Sequence, residues 1–410
     1  MTLYELDIRM KKTIPEILIL LYISSIGISC DGETQTRLTM ESAAVGVAAD
    51  VIRVGPGERF TTSSAAAAHV RDGDVVEIMP GLYSGDVVVW RQNNLLIRGI
   101  DKPHIEANGA HVEGKGTWLI KGENTIIQGI EFSGAAVPDG NGAAIRLEGT
   151  NLTLLDCYIH HNENGFLCGE NASSQVVFEN CEFAYNGVGD GYTHNMYIGP
   201  IGRFILKCSY VHHAIIGHNV KSRAKESYIL YNRIMDEQSG NSSYALDVPN
   251  GGLIYVIGNS MQQGVNTDNS TMLAYGAEGQ THVTNEIYVI NNTFVNDFDG
   301  GLFIGIFSSP TLVWIMNNLL VGPGENAAQD AMLSNNIFSN DPGFVDRSAF
   351  DYHLVSGSPM INAGVELGKA RDFNLTPVLQ YDHPAHCMAR FSIQEPDVGA
   401  YEYGVISSVP

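Results

Sequence analysis

Eight residues of this chain recur at one place in a repeating unit. Cys157, Cys181, Cys208, Asn232, Asn259, Asn292, Asn318 and Asn336 follow one another at 24, 27, 24, 27, 33, 26 and 18 residues, each after a short apolar run. Two residues beyond each stands Ile, Phe, Tyr, Met or Leu. Periods of this size mark solenoids, in which a repeat buries its apolar face only by stacking on its neighbours. The segments around the column (152–159, 176–183, 204–211, 228–234, 254–261, 287–294 and 313–320) are rich in Val, Ile, Leu, Tyr and Phe and bounded by Gly, Asn, Asp and Ser. They read as strands and turns. Parallel strands ordinarily need helical crossovers, and no run with helical spacing separates these. The arrangement left is a coil in which each strand lies about 4.8 Å above the last, so that equivalent side chains form ladders. Asn suits an interior ladder because its amide both donates and accepts. The chain therefore reads as all-β, a right-handed parallel β-helix of roughly nine to eleven coils.

The regions on either side of the solenoid are read from composition. Lys11 and Lys12 precede an apolar run over 14–28, short for a membrane span and suited to a signal peptide over residues 1–30. Cys30 ends that run as Ile-Gly-Ile-Ser-Cys, which is similar to a bacterial lipoprotein signal, with ordinary cleavage near Ala49 as the alternative. Either implies export, with a lipid anchor as the one route to a membrane. Residues 31–50 read as a linker, 51–340 as the β-helix and 341–410 as an irregular C-terminal cap punctuated by Gly and Pro. A short helix over 63–70 is expected to cover the open edge of the first coil. The formal charge of -22 argues against nucleic-acid binding, which needs a basic face. The chain is expected to be monomeric.

Cys157, Cys181 and Cys208 share one column, close enough to pair, and a stack of small apolar thiols is the favoured reading. Cys168 and Cys387 are too isolated in sequence to assign, and no Cys or His spacing matches a zinc site.

With its entry cap, ladder and closing tail, the chain over about residues 51–405 resembles the bacterial right-handed parallel β-helix proteins, a broad group similar to pectate lyases. The resemblance implies a secreted carbohydrate-active protein. Such folds also carry epimerases, hydrolases and non-catalytic adhesins, so the chemistry has to come from a site.

Six of the 23 Lys and Arg residues (Arg203, Lys207, Lys221, Arg223, Lys225 and Arg233) fall within residues 203–233, a cationic stretch suited to an anionic ligand. His194, Asn195, Tyr197, His212, His213, His218 and Asn219 lie in the same region. Strand alternation sorts them. If Val220 points inward, Asn219, Lys221 and Arg223 point outward together. Met196 and Ile198 then turn in and Tyr197 out, and Leu246 and Val248 in and Asp247 out. Stacked coils would bring Tyr197, Lys221 and Asp247 side by side, with Tyr275 and Glu278 one coil further.

Such a groove suits β-elimination on an acidic polysaccharide, which needs a neutralised uronate carboxylate, a base for the proton beside it and a proton for the leaving oxygen. Lys221 is the candidate base, its uncharged form favoured by burial and by Arg223 nearby. Arg223 is the candidate carboxylate fork, and Tyr197 or His194 the proton donor. Asn195, Asn219, Tyr244 and Tyr275 are candidate substrate contacts, and Asp247 with Glu278 candidate ligands for Ca²⁺. Pectate lyases use Lys, Arg and calcium in this way, although the chain lacks a clustered Asp motif like theirs. Against these stand plainer expectations. In one, Lys221 and Arg223 simply pair with Asp247 and Glu226 on a solvated surface. His218, with the parity of Val220, should be an interior histidine, His212 and His213 should sit in a turn, and Tyr288, Phe294 and Trp314 should be packing residues. Three functions remain: a lyase or epimerase on a uronic-acid glycan, a glycoside hydrolase using Asp247 and Glu278, and a non-catalytic glycan-binding module.

Overall fold

The computed structural model describes residues 50–327, 332–392 and 394–404, so the expected signal peptide, Cys30 and nearly all of the linker lie outside the described residues. One compact unit comprises residues 48–368 and 375–410. The described part of the other is residues 369–374, where Lys369–Ala370 and Phe373–Asn374 pair antiparallel.

Within the large unit the chain winds through three parallel sheets in turn. The first wall has twelve strands, from Val51–Val54 to Met332–Ser334; the second has eleven, from Leu82–Ser84 to Ile337–Ser339; the third has ten, from Val88–Trp90 to Glu325–Ala327. About ten full coils result, as the repeat predicts. Inward positions of all three walls, among them Ile159, Phe183, Val220, Leu246 and Phe294, are fully buried in one continuous apolar core. Each coil is too thin to enclose such a core alone, so stacking is what removes these side chains from water.

The interior asparagine ladder follows. Both the backbone and side-chain N–H groups of Asn232, Asn259, Asn292 and Asn318 donate to the side-chain oxygen of the next Asn, at 2.8–3.1 Å, as far as Asn336. Each amide also closes on a backbone carbonyl, as Asn259 Nδ2 does on Ile229 O at 2.8 Å. The column reading slips by one residue at Cys208. Ser209 fills the ladder position there: its Oγ accepts from the Cys181 amide at 3.2 Å, and its own amide donates to Asn232 Oδ1 at 2.9 Å. Cys208 takes the preceding corner in the left-handed region (φ 53), as Asn180, Asn291 and Asn317 do in other coils, and forms a disulfide with Cys387, 179 residues away. Cys157 and Cys181 stay in the core as free thiols. The expectation of three packed thiols therefore holds for two of them, and Cys387 acquires a partner.

Ser63–Ala67 forms the expected helix at the first coil, with Thr62 as its N-cap and the Asp86 carboxylate accepting from the Ser64 amide at 2.9 Å. The C-terminal segment differs from expectation. Tyr352, Leu354, Met360, Tyr381, Val398 and Tyr401 pack against Tyr210, Met235, Val295, Leu319 and Val321 on the outside of the second wall, so the segment lies along a flank. Leu333 and Phe338 of the last strands remain 55% and 57% exposed. The outward positions of the second wall are apolar over these coils, and burying them is what recruits the tail.

Candidate active site

The third wall carries the groove. Its register pairs Tyr197 with Lys221, Lys221 with Asp247, and Asp247 with Ala274. The expected column of Tyr197, Lys221 and Asp247 on successive coils is therefore present, with Val220 and Leu246 turned into the core. Lys221 points outward yet is only 9% exposed, because the corner residue His218 and the loop bearing Glu278 close around its head group. Its Nζ lies 3.2 Å from Asp247 Oδ2, 3.6 Å from Glu278 Oε1 and 3.5 Å from His218 Nε2.

Arg223 is the second cation. Its Nε donates to Tyr197 Oη at 2.8 Å, it also donates to Asn250 Oδ1, and its fork holds Glu278 by two bonds of 2.7 and 3.0 Å. Glu278 is the more exposed partner, with about half its side chain open to solvent. The Arg223 fork holds its carboxyl below the usual carboxylate range, helped by Lys221. Asp247 is the opposite case. Burial pushes its carboxyl up to about 6, against the pull of Lys221, and its Oδ1 is buried without a hydrogen-bond partner. Two neighbouring carboxyls are thus driven apart by environment, a pattern common at functional sites.

The histidines form a neutral layer beside this network. His194 stacks on His218 with ring centroids 4.6 Å apart. The His218 amide donates to His194 Nδ1 and the Tyr244 amide to His218 Nδ1, which fixes both protons on Nε2. Burial, then the nearby cations and histidines, lowers His194 to about 3 and His218 to about 2. His218 is not the interior residue expected. It lies at the corner before strand Val220–Ser222, where strand alternation has not begun, and its Nε2 lies 3.5 Å from Asp247 Oδ2. The recurrence of His-Asn at 194–195 and 218–219, one coil apart, was the sequence signal for it.

Three expected substrate contacts are not on the groove. Asn195 and Asn219 are fully buried in a second corner ladder, Asn162 to Asn186 to Asn195 to Asn219, which ends on Ser242 Oγ. They are held by the same satisfied-amide logic as the main ladder and cannot meet a glycan outside the coil. Tyr275 is also buried. It is in register with Val248 and donates to Gly252 O at 2.7 Å, so Ala274 takes the outward place above Asp247. Tyr244 does border the groove, half-buried and 4.9 Å from the His218 ring.

The cationic stretch divides among the walls. Arg203 pairs with Glu226 and Lys207 with Glu179 on the first wall, and Arg233 pairs with Glu237 on the second. A coil of about 25 residues visits all three faces, so cations close in sequence diverge in space. Only Lys221 and Arg223 of the six meet at the groove.

Asp247 and Glu278 do not fit the expected calcium site. Three of their four oxygens contact Lys221 or Arg223, whereas Ca²⁺ takes about 6–8 oxygen ligands. The donor set is that of an ion-pair network.

The sequence matches no family model and no curated protein. Among solved structures, pectate lyase Pel9A is similar over 87% of this chain and 97% of its own, at 15% identity and a TM-score of 0.59. The chain shares with it the right-handed parallel β-helix fold. ORF18 of Geobacillus virus E2 is similar over 70% of this β-helix chain and 60% of its own (15% identity, TM-score 0.48), and carrot pectin methylesterase over 73% and 91% (15%, 0.34). At these identities the likeness to Pel9A concerns the fold, and the groove is interpreted from its own residues.

Proposed function

We propose that this β-helix is a carbohydrate-active enzyme that cleaves a uronic-acid polysaccharide by β-elimination at the third-wall groove. The observation that carries the reading is a carboxylate already seated between the two groove cations. Glu278, on an exposed loop, lies in the Arg223 fork and within 3.6 Å of Lys221. A substrate carboxylate displacing it would meet the same two cations, which together would spread the charge that develops when the adjacent carbon loses its proton.

Lys221 is the group that reaches that proton. It can accept one only after passing on its own, and Asp247, 3.2 Å behind it with a carboxyl raised to about 6, is placed to hold it. The electrons of the broken C–H bond then form the ring double bond and expel the glycosidic oxygen. Tyr197 accepts from Arg223 Nε, so its own hydroxyl proton is free for that leaving oxygen. His194, buried and neutral, is the poorer donor and serves here to pack His218 and Tyr197. Re-protonation of the same carbon from the other face would give an epimerase instead, through the same first step.

Pel9A, similar in fold, is a pectate lyase. The Cys208–Cys387 disulfide agrees with the proposed export, since structural disulfides persist in oxidising compartments. The hydrolase reading draws on the split carboxyls Asp247 and Glu278, but both are bonded to Lys221 and Asp247 is almost wholly buried. The test is to incubate the protein with polygalacturonate, alginate, hyaluronan and chondroitin while following both ultraviolet absorbance of unsaturated uronate ends and release of reducing ends. Both signals rising together supports elimination. Reducing ends alone would favour hydrolysis, and glycan binding without either would favour a binding module.

A further inference from the structure

A second cluster lies on a different wall. On the outer face of the second wall, two imidazoles converge on one carboxylate from three successive coils. His104 begins strand His104–Glu106, Glu131 begins Glu131–Ser133, and His160 ends Tyr158–His160. His104 pairs with Glu131 in register, and Glu131 with Tyr158, so His160 reaches Glu131 diagonally. Glu131 Oε1 lies 3.0 Å from His160 Nε2 and 3.5 Å from His104 Nδ1.

We propose that His104, Glu131 and His160 bind a divalent transition-metal ion, with Zn²⁺ as the expected occupant, and that the ion clips three coils together. One donor atom from each residue lies within 4.8 Å of the others, the sole such group of three His, Cys, Asp or Glu side chains among the described residues. Zinc takes imidazole nitrogen at about 2.0–2.1 Å and carboxylate oxygen at about 2.0–2.2 Å in a tetrahedron. Ligand atoms on that tetrahedron stand roughly 3.3 Å apart, and the two measured pairs of 3.0 and 3.5 Å straddle this value.

The surroundings hold the ligands as metal sites do. His104 Nε2 is 2.6 Å from Ser133 Oγ, and His160 Nδ1 is 2.8 Å from His161 Nδ1, so each ring presents its other nitrogen to the carboxylate. Tyr158 stacks on His160 at 4.2 Å and fixes its plane. The contrast with the groove is direct. There the carboxylates are bonded to Lys221 and Arg223, whereas the contacts of Glu131 here are to two imidazoles, which act as ligands when neutral. The three side chains are 14–28% exposed, which leaves a path for the ion and a water to complete its shell.

The test uses the full chain, stripped of metal by chelation and titrated with Zn²⁺ by calorimetry and with Co²⁺ by visible absorption. The site predicts one ion per chain, intense cobalt bands of a low-coordinate centre, and a melting temperature that rises with zinc concentration. His160→Ala and, as a milder change, Glu131→Gln should each weaken zinc binding by at least about tenfold and lose the cobalt bands, while the metal-free melting temperature stays near that of the parent. Failure of the stripped protein to bind either ion saturably, or Glu131→Gln binding both as the parent does, would overturn the site. Neither outcome bears on elimination at the groove, which is read separately from glycan products.

Discussion

Glu278 stands in the Arg223 fork where the proposed uronate would bind, so its removal separates binding from chemistry. Exposed ion pairs are worth about 1 kcal/mol or less, and the Glu278→Gln variant should lower KM for a polyuronate by up to roughly fivefold while kcat changes little. Steady-state kinetics reads both. Lys221→Ala should lower kcat by at least about a hundredfold; turnover near the parental rate in the folded variant would remove it from the reaction. Asp247 sets the pH dependence. The groups facing it are Lys221, His218, Glu278 and Arg223, and both histidines of the layer stay neutral throughout the working range. Protonating Asp247 removes the acceptor for the lysine proton, so kcat/KM should fall as pH drops through about 6, and Asp247→Asn should abolish that limb together with most of the activity.

At the scale of strands and ladders, the repeat made the fold legible because its cause is local: an apolar residue two positions beyond a satisfied amide, coil after coil. Asn259→Ala tests the ladder, because it removes the acceptor of both Asn232 donors and the donor to Ile229 O. A loss of about 1–3 kcal/mol per stranded group is expected, measured by urea unfolding. The same periodicity explains where the sequence reading stopped. Tyr197, Lys221 and Asp247 were found because each sits mid-strand, where alternation holds. Asn219, Asn195 and His218 sit at corners, where the chain turns and alternation gives the wrong face. Tyr275 lies in a strand, but the unequal loops before it hide its register. Cys208 was displaced by one because a cysteine and its neighbour Ser209 both resemble a small ladder residue, and only the hydrogen bonds distinguish them. The apparent cationic patch failed for a topological reason: sequence proximity over half a coil means different walls.

At the scale of the whole large unit, the solenoid gains stability coil by coil, and the C-terminal segment adds long-range closure by packing on the second wall and through the Cys208–Cys387 disulfide. Cys387→Ser should cost about 2–5 kcal/mol and expose residues 379–404 to proteolysis, with no effect on glycan cleavage at the third wall. A rigid stack of coils also explains how Tyr197, Lys221 and Asp247, at steps of 24 and 26 residues, come to share one working face without any mobile element. The central claim is that this face removes a proton rather than adding water. Mass spectrometry of the oligosaccharides released from a defined polyuronate measures that difference directly. Products whose new ends are one water lighter than hydrolysis would leave them, absent with Lys221→Ala, are what the account predicts; products carrying the full water would contradict it.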